Sequence, residues 1–248
     1  MRVAAGMIAW ACAAAATAAT LQISPVTIEM APGVRGAAMT LSNVGEHPLY
    51  GQLRVFEWDQ REGEDRLLPT RAVVASPPML QIAPGAQQVV RIVRVAGEAA
   101  RPVKEDSYRI LIDEIPDPRT QPRSGVVIRM RYSVPVFLDN GLTARDRPEL
   151  SWSLACENRR WRLRADNAGA LHARLNTVWI AGADGRRHDI EPGLLGYVLP
   201  GRHRIWDLDL PANARLGKRA VIHAVVNAGA VEKAVDVRPG SGGCGAGR

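Results

Sequence analysis

Between Gly125 and Phe137 apolar and cationic residues alternate at a period of two, the spacing of a β-strand. Val126, Ile128 and Met130 fall on one face and Arg129 and Arg131 on the other, so the segment predicts a one-sided strand with a row of apolar pegs. Such a strand serves either its own half-buried sheet or a sheet supplied by something else, and periodicity alone does not separate the two. A second apolar set, Val134, Val136 and Phe137, runs into the turn signal Leu138-Asp139-Asn140-Gly141, which marks a domain junction near mid-chain. Pro135 removes one ladder donor and marks the place where an open edge stops.

The same reading finds short β-rich runs along most of the chain. Leu21–Ser24, Ala38–Ser42, Gly51–Trp58, Gln87–Arg94 and Tyr108–Asp113 are separated by Ala31-Pro32-Gly33, Ser76-Pro77-Pro78 and Ala83-Pro84-Gly85. A second series includes Trp161–Arg164, Ala173–Asn176, Trp206–Leu208 and Val221–Val226. Regular strands with turns every ten residues or so predict an all-β chain of two sandwiches. The expected division is 20–140 for the first, 141–238 for the second and a Gly-rich tail at 239–248.

Ahead of these strands, Met1-Arg2 and an Ala-rich apolar run to Ala19, with Ala16 and Ala18 as small residues, have the layout of a cleaved secretory leader over 1–19. The run is too short and too interrupted for a stable span, and no other segment could cross a membrane as a helix. Export leaves Cys156 and Cys244 in an oxidising compartment, where the two thiols either pair or, given the flexible tail around Cys244, stay free.

Composition narrows the remaining classes. A chain of 248 residues, 46% hydrophobic and 23% charged, can bury two cores, and its formal charge of +7 suits an acidic partner, an anionic envelope surface or plain solubility. Nucleic-acid binding lacks a dense basic run with aromatics. No nucleophile elbow, phosphate loop, zinc helix motif or paired-carboxylate motif occurs, and His47, His172, His188, His203 and His223 show no recurring partner, so each reads as a surface or loop residue. The expectation is a non-enzyme without metal or cofactor. Trp58, Trp152, Trp161 and Trp206 read as core or rim packing, and Glu114 as a strand end without a role.

Ser76-Pro77-Pro78, Ile82-Ala83-Pro84-Gly85-Ala86-Gln87-Gln88-Val89-Val90-Arg91, Ser107-Tyr108-Arg109-Ile110-Leu111-Ile112-Asp113-Glu114-Ile115-Pro116 and the alternating strand follow one another in the order seen in PapD-like periplasmic pilus chaperones, which this chain resembles. Asn167–Leu175 and Leu199-Pro200-Gly201 resemble that family's second domain. The resemblance implies two immunoglobulin-like sandwiches joined at an angle, a periplasmic location, pilus subunits as cargo and an outer-membrane usher as receiver. It also implies donor-strand complementation, in which the chaperone lends the strand that a subunit's fold lacks. Val126, Ile128 and Met130 match the donor positions, with Tyr132 and Val134 extending the row.

The chain departs from the family at the basic pair that anchors a subunit's terminal carboxylate. Thr27 stands where the family's Arg would be and Pro135 where its Lys would be, while Asp139-Asn140 replaces the hinge Arg-Pro. These losses point to the divergent branch serving spore-coat-U-like pilins. Arg91, Arg129 and Arg131 are the replacement anchors offered by the sequence, Arg91 first. The competing reading is a secreted two-domain sandwich that binds carbohydrate or adheres to surfaces, with exposed tryptophans as stacking platforms.

Overall fold

The computed structural model describes residues 21–95, 104–116, 129–158, 160–210, 214, 216–238 and 244; the expected leader, Val126 and Ile128 lie outside these. Seventeen strands and no helix occur among the described residues. In chain order they are β1 (Leu21–Ser24), β2 (Ile28–Met30), β3 (Gly36–Asn43), β4 (Leu49–Arg61), β5 (Glu64–Pro69), β6 (Val73–Ser76), β7 (Met79–Ile82), β8 (Gln87–Arg94), β9 (Asp106–Ile115), β10 (Arg131–Leu138), β11 (Leu150–Glu157), β12 (Arg160–Asn167), β13 (Ala173–Ala181), β14 (Arg187–Val198), β15 (Arg202–Leu208), β16 (Arg219–Val226) and β17 (Gly229–Arg238).

β1–β10 build the first sandwich. One sheet has the order β1-β3-β8-β6 and the other β2-β10-β9-β4-β5, with β7 added beside β4. Alternation produces the core: Val90 and Ile92 of β8 are buried while Val89, Arg91 and Val93 face out. They meet Met39, Leu41, Ile110, Ile112 and Val136 between the sheets. β5 escaped the sequence reading because Glu64-Asp65-Arg66 has no apolar rhythm. It is an exposed edge strand, held to β4 by a two-residue turn in which Glu62 and Gly63 both have positive φ.

The second sandwich packs β14-β13-β16-β17 against β11-β12-β15. β17 belongs to both layers, pairing with β16 along its length and with β11 through Leu154↔Val237 and Ala155↔Arg238. Leu154, Leu163, Leu175 and Ile180 are fully buried between them. Cys156 of β11 is joined to Cys244 by a disulfide, so this one described residue of the expected tail is tied to the core.

An apolar, hydrogen-bonded seam joins the sandwiches. Trp58, Phe137, Tyr197 and Leu199 form its apolar centre. Gln60 Nε2 donates to the Tyr197 carbonyl and its Oε1 accepts from the Leu199 amide, both at 2.9 Å. Beside it Arg202 Nε donates to Asp59 Oδ1 at 2.5 Å. The β4–β5 turn reaches across as well: the Gly63 carbonyl accepts from the Ile205 amide at 3.2 Å and from Arg204 Nη1 at 2.8 Å. A Cβ on Gly63 would stand 2.7 Å from the Ile205 side chain, so this contact demands glycine for space as well as for φ.

Candidate functional site

β10 is paired unequally on its two edges. Antiparallel β9 accompanies it from Arg131 to Leu138, but parallel β2 reaches only Val136, Phe137 and Leu138. The cause lies at the start of the chain: β1 belongs to the other sheet, pairing with β3, and the crossing through Pro25 and Val26 leaves just three residues for β2. The edge of β10 from Arg131 to Pro135 therefore meets no strand among the described residues, and Pro135 stands at the boundary between the open and covered parts. An unpaired strand edge of this kind is a template for another chain.

Side chains along β10 divide by face instead. Val134, Val136 and Leu138 are buried in the first core, and Tyr132 packs against it. Phe137 points the other way and is buried in the seam, which explains why the apolar run there is continuous rather than alternating. Met130, just before the strand, is exposed. Glu114 of β9 latches this entry: its carboxylate accepts from the Met130 amide at 3.3 Å and from the Tyr132 hydroxyl at 3.1 Å. Burial and the Glu114 charge together push the Tyr132 hydroxyl up to about 12.

The outer face of the same sheet forms one wall of the interdomain cleft. A cavity of about 610 Å³ there is lined by Thr27, Glu29, Phe137, His172, Arg174 and Tyr197, among others. Its floor carries Glu105, which bonds His172 Nδ1 at 2.8 Å across the seam, and the imidazole is stacked on Phe137 at 3.6 Å. Burial raises the Glu105 carboxyl above its usual range despite the opposing His172 contact.

Beside the cleft, Arg109 is the register partner of Pro135. Its guanidinium lies 3.7 Å from the Trp58 ring centroid and 5.4 Å from that of Tyr197, and Nη1 donates to Ser133 Oγ at 3.3 Å. Burial draws its pKa down, with the like charge of Arg204 adding and Asp65 and Tyr197 opposing. Arg stays protonated in proteins, so this is a partly desolvated cation with a single long side-chain hydrogen bond among the described residues.

The model for pili and flagellar-assembly chaperones, PapD N-terminal domain, matches residues 20–139. The first sandwich belongs to the PapD family. Solved structures extend the likeness to both sandwiches. The CsuC–CsuE chaperone–tip adhesion subunit complex from the archaic chaperone-usher Csu pili of Acinetobacter baumannii is 25% identical at a TM-score of 0.65, covering 90% of this chain and 100% of that one. The YadV chaperone is 18% identical at 0.62, covering 88% and 100%. The CupB2 chaperone of Pseudomonas aeruginosa is 18% identical at 0.56, covering 87% and 100%. Curated protein sequences gave no match.

Against the PapD-like frame several sequence expectations need correcting. Val134 is no donor peg, since its side chain fills its own core, and Tyr132 is committed to the core and to Glu114. Arg91 lies on the outer face of the four-stranded sheet, with both layers of the sandwich between it and the cleft. Arg131 is an ion-pair partner of Asp113, which Arg54 Nη2 also grips at 2.7 Å, while Arg129 is exposed just ahead of β10. His172 is a buried seam residue rather than a surface one, and Glu114 has the latching role described above. Thr27 lines the cavity just ahead of β2, and Pro135 lies on β10 one residue before its first pair with β2, so both positions expected to carry the basic pair are neutral.

Sequence reasoning passed over Arg109, although strand parity puts it on the face shared with Ser107 and Leu111 and opposite Tyr108 and Ile110. The described tryptophans offer no free platform. Trp58 and Trp161 are buried, Trp152 and Trp206 pack on the second core, and Trp179 is stacked on His223 at 3.5 Å with Arg187 over its ring. Among the described residues no cluster of metal-ligating side chains occurs, and no helix is long and apolar enough to cross a membrane.

Proposed function

We propose that this PapD-family chaperone works in the periplasm, binding pilus subunits by donor-strand complementation and passing them to an outer-membrane usher. The observation that carries the proposal is the open edge of β10 between Arg131 and Pro135. Main-chain bonds along it would close a subunit's sheet, and apolar side chains leading into it would fill the subunit's groove. Met130 is free to do so, and Val126 and Ile128 continue its face in the sequence. Three such side chains are worth about 1.5–3 kcal/mol each when fully buried, before ordering costs. The neighbour from A. baumannii is a chaperone bound to a tip adhesion subunit, which supports cargo of the same kind here.

For the subunit's terminal carboxylate, Arg109 fits better than Arg91, Arg129 or Arg131. It lies beside the cleft next to Pro135 and, among the described residues, keeps unused donors in a partly desolvated site, where a charge-assisted fork is strongest. The cavity on the β2 side sets three carboxyls, Glu29, Glu105 and Asp139, against the single guanidinium of Arg174, and so favours a carboxylate less than Arg109 does.

Periplasmic co-expression with candidate pilin-like subunits tests both points. The wild type should rescue a soluble subunit, Ile128→Asp/Met130→Asp should not, and Arg109→Ala should weaken capture while Arg91→Ala does not. Equal subunit recovery with the wild type and the double variant would sink the donor-strand reading. Weakening by Arg91→Ala alone would return the anchor to Arg91.

A further inference from the structure

Arg91 is left without a role by the cleft, and its surroundings are unusual. On the outer face of β1-β3-β8-β6, Val74, Val89, Val93 and Val95 are 41%, 50%, 39% and 43% exposed. They are neighbours in register: Val74 lies across from Val93, and Arg91 sits between Ser76 and Ala38. Exposed Arg35 and Arg71 stand at the strand ends nearby. Arg91 is in no ion pair among the described residues. β1, β3, β6 and β8 carry Arg91 and Arg94 and no Asp or Glu, whereas the opposite sheet carries eight acids, among them Glu29, Glu57, Asp59 and Asp113, against five arginines. The first sandwich is thus electrically two-sided.

We propose that this valine-and-arginine face is a peripheral docking surface for anionic lipid headgroups. Charge complementarity selects an anionic occupant. Shape and composition select a plane over a protein pocket: the four strands hold no aromatic residue, so the face lacks the large anchors on which protein interfaces depend, yet a sheet face can lay its valines and Arg91 on one surface together. Arg91 can rest its stem among the valines and keep its guanidinium at the headgroups. A second copy of the chain is disfavoured, because two such faces repel. Docking in this sense turns the acid-bearing sheet and the open edge of β10 away from the lipid. The inference is independent of the chaperone reading.

The test is co-flotation of the mature chain with vesicles of phosphatidylglycerol and phosphatidylcholine, against phosphatidylcholine alone, at low and at physiological salt. Binding should require phosphatidylglycerol and weaken with salt. Arg91→Glu, and separately Val89→Asp/Val93→Asp, should lose on the order of tenfold in partitioning, since each cation near such a surface contributes about fivefold. Arg219→Glu makes the same charge change at an exposed site on the second sandwich and should bind as the wild type does. The proposal falls if the wild type ignores anionic vesicles at low salt, or if Arg219→Glu loses as much as Arg91→Glu. Subunit capture by the same variants, measured in parallel, reports on the chaperone reading separately.

Discussion

Replacing Gln60 by Ala should uncouple the two sandwiches. Gln60 is 2% exposed and is the side chain that satisfies both the Tyr197 carbonyl and the Leu199 amide; it also donates to Asp65 Oδ1 at 2.9 Å. Truncation leaves a buried donor and a buried acceptor facing an apolar seam of Trp58, Phe137, Tyr197 and Leu199. Each orphaned group costs about 1–3 kcal/mol, so the loss is about 2–6 kcal/mol, toward the lower half if water enters the vacated space. Gln60→Glu should be no better: it keeps an acceptor for Leu199, loses the donor to Tyr197 and sets a carboxylate beside Asp59 and Asp65. Calorimetry on the oxidised protein should show coupled melting of the wild type and separate transitions for the variant. A variant that melts in one transition, within about 0.5 kcal/mol of wild type, would refute the assignment of seam stability to this residue.

Three further outcomes are expected. Cys244→Ser opens a bridge between residues 88 apart and should destabilise the second sandwich by about 4–5 kcal/mol on the chain-entropy account; reductant should reproduce the loss in the wild type and add nothing in the variant. Glu114→Ala should cost about 1–2 kcal/mol, and the latest-titrating tyrosine in an ultraviolet pH titration should move below about 12, because Glu114 no longer opposes ionisation of Tyr132. Glu105 has a raised pKa in the folded state, so its contribution to stability is present below the unfolded carboxyl value of about 4.3 and is lost as pH rises through the folded value. Glu105→Gln should therefore gain on the wild type across that window, and parallel stability–pH curves would contradict it.

Strand rhythm made the sandwiches legible because most strands bury one face only. β8 was readable end to end, with Val90 and Ile92 in and Val89, Arg91 and Val93 out. β5 was hidden because an edge strand exposed at every position needs no apolar rhythm. Much of β14 was hidden because register shifts against β13 break the period around Leu194 and Gly196. The candidate site was half legible. Alternation singled out the strand, yet it could not show that Val134 turns into its own core or that β2 stops at three residues. Those depend on which elements end up adjacent. His172 and Arg109 were missed for the same reason: their meaning comes from partners 67 residues away across the seam for the first, and from Trp58 and Tyr197 for the second.

Each sandwich is closed by its final strand. β10 returns to pair with β2, and β17 returns to pair with β11 beside the Cys156–Cys244 bridge. For a chain synthesised from its N-terminal end, neither unit can complete its seal until its last stretch has emerged. The first unit can close while the second is still arriving, but the Gln60 clasp must wait for Tyr197 and Leu199. Such long-range closures are slow steps. Until they occur, β2 and β11 each stand without the returning strand that closes their sandwich.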